Sequence, residues 1–446
     1  MSKNNVIDMR RYPGEANFSP TQEPDKAKKT ILPFSTIEQQ GDDTLVTRDP
    51  LGQMPLHMAL KDGQAYVANS IKDLQLIDKI GYEDVQVIPH AATAKIDKDG
   101  NVSMNRYLDF HHHMPADFEP SKIGDIEYSA DYVRRKFDEA VDEILANKTE
   151  IACLLSGGID SMIAAFLSSQ RLPNSQSYTM GIESSNPDDL SLAREYSKAF
   201  GMKQNIIGVS REEIIASLRE SIWRSEIYHL YNVYCAVGMV LIGRYLTKDG
   251  IRHAMTGEGA NEAFGDYHNW DVTLADGSIQ RIQSTDIVAF NSPEGRHAYI
   301  WGNPRAEQKG FYNRHLGSGL AKHGASRMYK PMHEYGTQLY SPFMQVDILK
   351  VIASIPEADL EAAGGKPGFM GLVFKRDIEA GKIPADFFIH KKKTRLQDAN
   401  PDGQGGITET LLRAGYDQSK VIKIFNELFG ANVANDSRFT DTRLIQ

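Results

Sequence analysis

The chain has 446 residues, with 50 basic against 59 acidic side chains and a formal net charge of −9. That length exceeds one ordinary hydrophobic core, so two domains are expected, and the acidic balance argues against general nucleic-acid binding. A hydrophobic content of 41% with 24% charged residues excludes a disordered chain. No window approaches the roughly 20 apolar residues of a membrane span. The N-terminal "MSKNNVIDMRRYPGEANFSP" lacks the apolar centre of a signal peptide, so a cytoplasmic location without membrane contact is expected. Cys153 and Cys235 lie in apolar segments and read as buried free thiols of a reducing compartment.

Residues 1–30 are polar and contain proline, the composition of a flexible N-terminal arm. Residues 31–125 are β-rich. "DTLVTRD", "QAYVANS" and "ATAKIDKDGNVSMNRY" read as strands, with a hairpin turn at Asp97-Lys98-Asp99-Gly100, and "DFHHHMPADFEPSKIGD" reads as a linker. Residues 126–446 change character. "SADYVRRKFDEAVDEIL" carries apolar residues at helical spacing with Ser129 as its N-cap. Strands "IACLLS", "SQSYTMGI", "QNIIGVS" and "IRHAMTG" then alternate with helices over 162–170, over "DDLSLAREYSKAFG" and over a long tract from about Ile222 to Lys248. This is the pattern of an α/β doubly wound parallel sheet, followed beyond about Asp271 by a helical extension.

Within that pattern, "CLLSGGIDSM" poses a specific question. A buried strand ends on Ser156-Gly157-Gly158, and a helix opens with Asp160-Ser161. Ligands of parallel sheets sit at the carboxyl ends of the strands. Glycines there let backbone N–H groups close on an anion, at the positive end of the next helix. An acid beside an anion makes sense when it holds a divalent cation. The local chemistry is thus that of a pyrophosphate and Mg²⁺ cradle, without a Walker loop; a plain turn with an Asp N-cap is the bland alternative. A second strand end, "TGEGANEAFGDYHNW" at 256–270, repeats the theme with Glu258 and Glu262.

Ser156-Gly157-Gly158-Ile159-Asp160-Ser161 resembles the S-G-G-x-D-S pyrophosphate loop of the N-type ATP pyrophosphatases. Thr256 to Gly265 is similar to the S-G-E-G-[SA]-D-E-x-F-G segment of glutamine-dependent asparagine synthetases. "RDPLGQMPLHMA", "VANSIKDLQLI", "LYSPF" and "HKKKTRLQDA" match further segments in the family's order, over roughly residues 40–400. The resemblance implies a truncated Ntn-hydrolase-like β-rich domain in front of an adenine-nucleotide alpha-hydrolase-like (PP-loop) domain. It also implies an ATP-dependent, AMP-forming carbon–nitrogen ligase joining a small-molecule or peptide carboxylate to ammonia or an amine, with homo-oligomerisation left open.

Carried onto this chain, Ser156, Gly157, Gly158 and Ser161 would hold pyrophosphate, and Asp160 with Asn261 would hold Mg²⁺. Leu155, Met180, Gly181, Thr256 and Gly257 would line the pocket for the adenine and ribose of ATP. Glu258 would handle the amine's proton, and Lys393 would face the nucleotide and the reaction intermediate. Three positions depart from the family: Asn261 replaces an aspartate, Asp266 a glycine, and Tyr340 an arginine, the last implying a changed substrate pocket. No cysteine precedes Cys153, so no glutaminase activity is expected. An intramolecular cyclase of the β-lactam or lasso-peptide kind, and a nucleotide- or partner-binding homologue without turnover, are the rival readings. Lys391, Lys392 and Arg395 read either as an ordinary solvated run or as further charge beside the site. His111-His112-His113 lacks metal-ligand spacing, and Tyr228, Tyr231 and Tyr234 read as core packing.

Overall fold

The computed structural model describes residues 6–12, 14, 19–108, 114–182, 188–264, 270–273, 279–282, 293, 296–297, 300, 320–389 and 406–433. In the front part, strands β1 (Val6–Asp8), β5 (Gln64–Ala68), β4 (His57–Lys61) and β6 (Gln86–Val87) form one sheet, in that order. A second sheet holds β2 (Ser35–Gln40), β3 (Asp43–Arg48), β7 (Ala92–Ile96) and β8 (Val102–Arg106). Val46, Ala94 and Ile96 of the second sheet bury against Met58, Ala65 and Val67 of the first. The apolar alternation of each strand therefore closes a core between the two sheets. The β7–β8 hairpin turns at Asp97–Gly100 as expected, with Asp97 Oδ1 accepting from the N–H groups of Asp99 and Asn101.

The first 30 residues are not a loose arm throughout. Val6–Asp8 pairs in parallel with Ala65–Val67, the Arg10 guanidinium donates to the Ser35 carbonyl at 2.5 Å, and helix α1 (Pro24–Lys29) buries Ala27. The composition is polar because these contacts run through the backbone and through charged side chains, which hydropathy does not register.

"RDPLGQMPL" explains itself as a folded loop. Arg48 is buried and donates to the carbonyls of Met54, Ile88 and Gly52, while Asp49 accepts from the N–H groups of Leu51, Gln53 and Met54. Backbone groups that could not pair within a strand are satisfied by one arginine and one aspartate.

The rear part is built on a five-stranded parallel sheet in the order β11 (Lys203–Val209), β10 (Gln176–Ile182), β9 (Ala152–Leu154), β12 (His253–Met255), β15 (Gln338–Tyr340). The chain winds from β9 outward to β11, then returns to lay β12 on the other side of β9. This reversal is the topological switch point of a doubly wound sheet, where ligands are expected at the strand ends. Two antiparallel strands, β13 (Trp270–Thr273) and β14 (Ile279–Ile282), precede the helical extension.

Helix α3 (Ile126–Leu145) starts four residues earlier than a Ser129 cap would have it, because Asp125 caps it by accepting from the Tyr128 N–H. Helix α4 (Ile159–Ser169) begins at the glycine pair itself, and α5 (Asp188–Ala199) follows β10. Cys153 and Cys235 are buried thiols outside any disulfide, and burial pushes the Cys153 thiol up to about 12. Tyr234 is enclosed and donates to the Tyr416 carbonyl, and the Tyr228 ring packs 4.8 Å from Phe425, as core aromatics. No described helix is long and apolar enough to cross a membrane.

The long tract read as one helix is two, α6 (Arg211–Ser225) and α7 (Leu230–Lys248). Glu226 breaks it in a left-handed conformation, φ 55°. The break has a purpose that lies outside the local sequence. The buried Glu226 carboxylate accepts from the N–H groups of Ile71 and Lys72 at 2.8 and 3.0 Å, capping the short helix α2 (Ile71–Leu74) of the front part, and it pairs with the Lys330 ammonium. Lys72 in turn donates to Glu334 at 2.8 Å, which also accepts from Ser70 and Tyr12. Two lysines and two glutamates thus form an internal seam between the front and rear parts. Removing one charge from such a set leaves its partners buried and uncompensated, at a cost of about 3–5 kcal/mol. Glu226→Gln, which keeps the shape, is expected to lose stability on that scale in chemical denaturation.

Gly257, just past β12, lies against the start of α4. A Cβ placed there would sit 2.4 Å from the Asp160 carbonyl carbon and 2.6 Å from the Asp160 Cβ. Only glycine lets the two strand-end loops touch. Gly257→Ala is expected to force them apart, lowering the melting temperature and weakening nucleotide binding more than an alanine at the open position Gly208 does.

Candidate active site

The described residues proposed for the nucleotide site lie at one edge of the sheet. The Leu155 N–H continues the β9 pairing by donating to the Tyr178 carbonyl at 2.9 Å, after which Ser156-Gly157-Gly158 leaves the sheet. Gly157 takes φ +77°, a left-handed turn that lets the chain double back into α4. Ser161 Oγ donates to the Gly158 carbonyl at 2.9 Å and accepts from the Ser156 N–H at 3.1 Å. Ser156 Oγ lies 3.1 Å from the same oxygen. The two hydroxyls therefore hold the loop in shape and present it at the amino end of an 11-residue helix, a favourable place for an anion. Met180 and Gly181 close the carboxyl end of β10, where Gly181 leaves only 3.0 Å between a would-be Cβ and Leu190.

The second loop is anchored from β15. The Thr256 N–H donates to the Tyr340 carbonyl at 2.9 Å, and Ser341 Oγ donates to the Glu258 carbonyl at 2.6 Å. Phe343 and Met344 press on Gly259, which takes φ +96°. "LYSPF" is thus the brace of the 256–259 loop. Its Tyr340 ring is fully buried, with its hydroxyl 3.3 Å from His253 Nδ1 at the amino end of β12 and Lys148 Nζ 4.8 Å from the ring centre. Tyr340 is therefore a core residue whose ring is turned toward His253, and what changes where the family has an arginine is the loss of that charge.

The Glu258 carboxylate is held by Arg327, whose guanidinium donates to Glu258 Oε1 at 2.9 Å and to the buried Glu262 at 3.5 Å. Arg327 comes from a π-helical segment, Leu320–Tyr329, a widened winding often found beside functional sites. The sequence signals neither its role nor its proximity, because it lies 69 residues from Glu258.

The expected magnesium ligands Asp160 and Asn261 do come together, but on a lysine. Lys366 Nζ lies 3.1 Å from Asp160 Oδ1, 3.2 Å from Oδ2 and 2.7 Å from Asn261 Oδ1. Both groups are engaged by the ammonium, which takes the place that a divalent ion between them would need. Among the described residues, no group of three or more His, Cys, Asp or Glu gathers as a metal site either. A protein-held Mg²⁺ between Asp160 and Asn261 is therefore not supported by these residues. Lys366 went unnoticed in the sequence, although a lysine in the glycine-flanked first turn of a helix is an unfavourable placement that marks it. Lys393, its neighbours Lys391, Lys392 and Arg395, the His111–His113 run and Asp266 lie outside the described residues.

Known proteins are similar to this chain over about half of its length. Escherichia coli asparagine synthetase B, a glutamine-hydrolysing enzyme, is 25% identical over 252 residues, covering 53% of this chain and 43% of its own length. The rat glutamine-hydrolysing asparagine synthetase is 29% identical over 252 residues, covering 52% of this chain and 45% of its own. The chain thus spans less than half the length of these relatives. A U34-tRNA thiolase structure from Methanococcus maripaludis aligns over 72% of this chain at 14% identity and a TM-score of 0.28, too loosely to carry an argument. The asparagine synthase pattern matches residues 132–356, half of the chain, spanning both strand-end loops, Arg327 and the bracing segment after β15. The chain belongs to the asparagine synthase family.

Proposed function

We propose that this chain is an ATP-dependent amide ligase that activates a carboxylate as an acyl-adenylate and passes the acyl group to ammonia or a substrate amine. The observation that carries this reading is the contact between the two strand-end loops, Ser156–Ser161 and Thr256–Glu258, brought together at the switch point through Gly257. Such a cradle suits the phosphates of a nucleotide whose base and ribose lie along Leu155, Met180, Gly181 and Thr256, all at the carboxyl edge of the sheet.

In this reaction a carboxylate oxygen bonds to the α-phosphorus, the bond between the α-phosphorus and its bridging oxygen breaks, and pyrophosphate leaves. Ser156, Gly157, Gly158 and Ser161 would receive that leaving group at the α4 amino end, where the charge it carries away is best stabilised. The amine nitrogen then bonds to the acyl carbon, the carbon–oxygen bond to AMP breaks, and one nitrogen proton must depart. Glu258, held by Arg327 and by the Ser341 bond to its backbone, would take it. Magnesium would enter as part of the nucleotide complex. The front two-sheet part is read as a diminished glutaminase-like domain serving as scaffold, with nitrogen taken as ammonia or an amine.

The purified chain, given ATP and a panel of carboxylates with ammonia, glutamine or amines, is expected to release AMP and pyrophosphate in equal amounts. ADP as the stoichiometric product would refute the reading, and glutamate released from glutamine would refute its nitrogen source. Lys393, at the family's spacing before Asp398, is proposed as a fixed positive charge near the α-phosphate and the later oxyanion. Lys393→Ala is expected to lower kcat by roughly 10²-fold, the scale of one lost electrostatic stabiliser, while Lys392→Ala stays near wild type. Equal effects from the two would place the charge elsewhere.

A further inference from the structure

We infer that Lys366 is a built-in cation that replaces a protein-bound divalent metal between Asp160 and Asn261 and supplies positive charge to the pyrophosphate cradle. The second half of this inference rests on the ligase reading; the first half does not.

Three observations point the same way. The first is position. Lys366 Nζ is within 3.2 Å of both Asp160 carboxylate oxygens and 2.7 Å from Asn261 Oδ1, so the ammonium occupies the space that an ion bridging those residues would need. A divalent ion brought there would meet a fixed positive charge and would find its two ligands engaged.

The second is charge balance. The family pattern places an aspartate where Asn261 stands. Two carboxylates neutralise a divalent ion, whereas one carboxylate and a neutral amide neutralise one ammonium. Asn261 and Lys366 are therefore complementary in charge. Asn261 alone would weaken a metal site, and with Lys366 it completes a different, equally neutral arrangement.

The third is the cost of placing a lysine here. The side chains of Lys366 and Asp160 are each only 6% exposed, and removing two charges from water is expensive unless they are closely paired. Lys366 also sits in the first turn of the helix Gly365–Val373, where the backbone dipole disfavours a cation, and that turn begins with Gly364 and Gly365 both in the left-handed region. Apolar packing alone would call for a leucine or methionine. The partner Asp160 belongs to the loop proposed to hold pyrophosphate, and its backbone touches Gly257 of the second loop. The ammonium is thus delivered to the junction of the two loops by a third segment, 206 residues from Asp160 in the chain.

The test needs no turnover. Nucleotide-free protein is titrated with Mn²⁺, and the free ion is counted by electron paramagnetic resonance. Wild type and Asp160→Asn are expected to give the same isotherm, because no ion is held at this carboxylate. The double variant Lys366→Met/Asn261→Asp restores a two-carboxylate pair and is expected to gain one Mn²⁺ per chain, lost again when Asp160→Asn is added. A wild-type Mn²⁺ site that Asp160→Asn removes would overturn the inference, and that comparison stands even if the double variant does not fold. A folded double variant that gains no ion would overturn it as well.

In a second arm, inorganic pyrophosphate is titrated calorimetrically in EDTA. Wild type is expected to bind, and Lys366→Met at least about tenfold more weakly, the scale of one charge-assisted hydrogen bond. Equal binding by the two, or no binding by wild type without a metal, would remove the role at the cradle. A chain that binds pyrophosphate through Lys366 yet forms no AMP would sink the ligase reading alone. One that forms AMP but holds an Asp160-dependent Mn²⁺ would sink this inference alone.

Discussion

The site depends on one close approach, the backbone of Gly257 resting against the first turn of α4 at Asp160. Neither loop is a binding site alone. The first offers hydroxyls and a helix amino end, and the second offers an acid at Glu258 held by its own brace. A parallel sheet that reverses its winding between β9 and β12 leaves the ends of those two strands side by side. A single missing side chain then allows contact. Everything else near the site can be understood as holding that contact in place: Ser341 on the Glu258 carbonyl, Met344 and Phe343 on Gly259, and the Ser156–Ser161 bonds within the first loop.

Buried charge among the described residues is arranged in enclosed groups of opposite sign. Arg327 faces Glu258 and Glu262, Lys366 faces Asp160, and Lys72 and Lys330 face Glu226 and Glu334. Each costs desolvation and recovers it only through good geometry, so such groups resist rearrangement. The seam at Glu226 joins the two-sheet front part to helices that carry the site. Lys330 follows directly after the π-helical segment bearing Arg327. The front part is thereby tied by its α2 amino end to the same stretch of chain that orients Glu258. This gives the front part a structural reason to be retained whether or not it performs chemistry of its own.

Much of this was legible in the sequence. The alternation of strands and helices after residue 126, the hairpin at Asp97–Gly100 and the two glycine-rich strand ends are local features. Hydropathy period, turn chemistry and glycine placement report them within a few residues. Elements whose limits are set by distant partners were read less well. The single helix expected across Glu226 is interrupted because its carboxylate is needed by α2, 155 residues earlier. The N-terminal strand was hidden because one residue in its three is buried and its attachment is through the backbone. Tyr340, which reads as a pocket residue, is a core residue whose hydroxyl turns toward His253.

The sequence by itself determined the kind of chemistry. A strand must stop, a backbone must bend through left-handed space and a helix must begin where hydroxyls and an acid are presented, and those demands leave a recognisable order of residues. Only the tertiary structure decided which charges meet. Asp160 and Asn261 suit a metal when read along the chain, and the folded protein gives them Lys366 instead. Glu258 reads as an acid for the amine's proton, and the folded protein pairs it with Arg327. The physical reason is the same in both cases. Backbone conformation is chosen by neighbours within a few residues, whereas the charge state of a buried site is chosen by whichever segments the packing of the sheet and its helices brings within 3 Å or so of it.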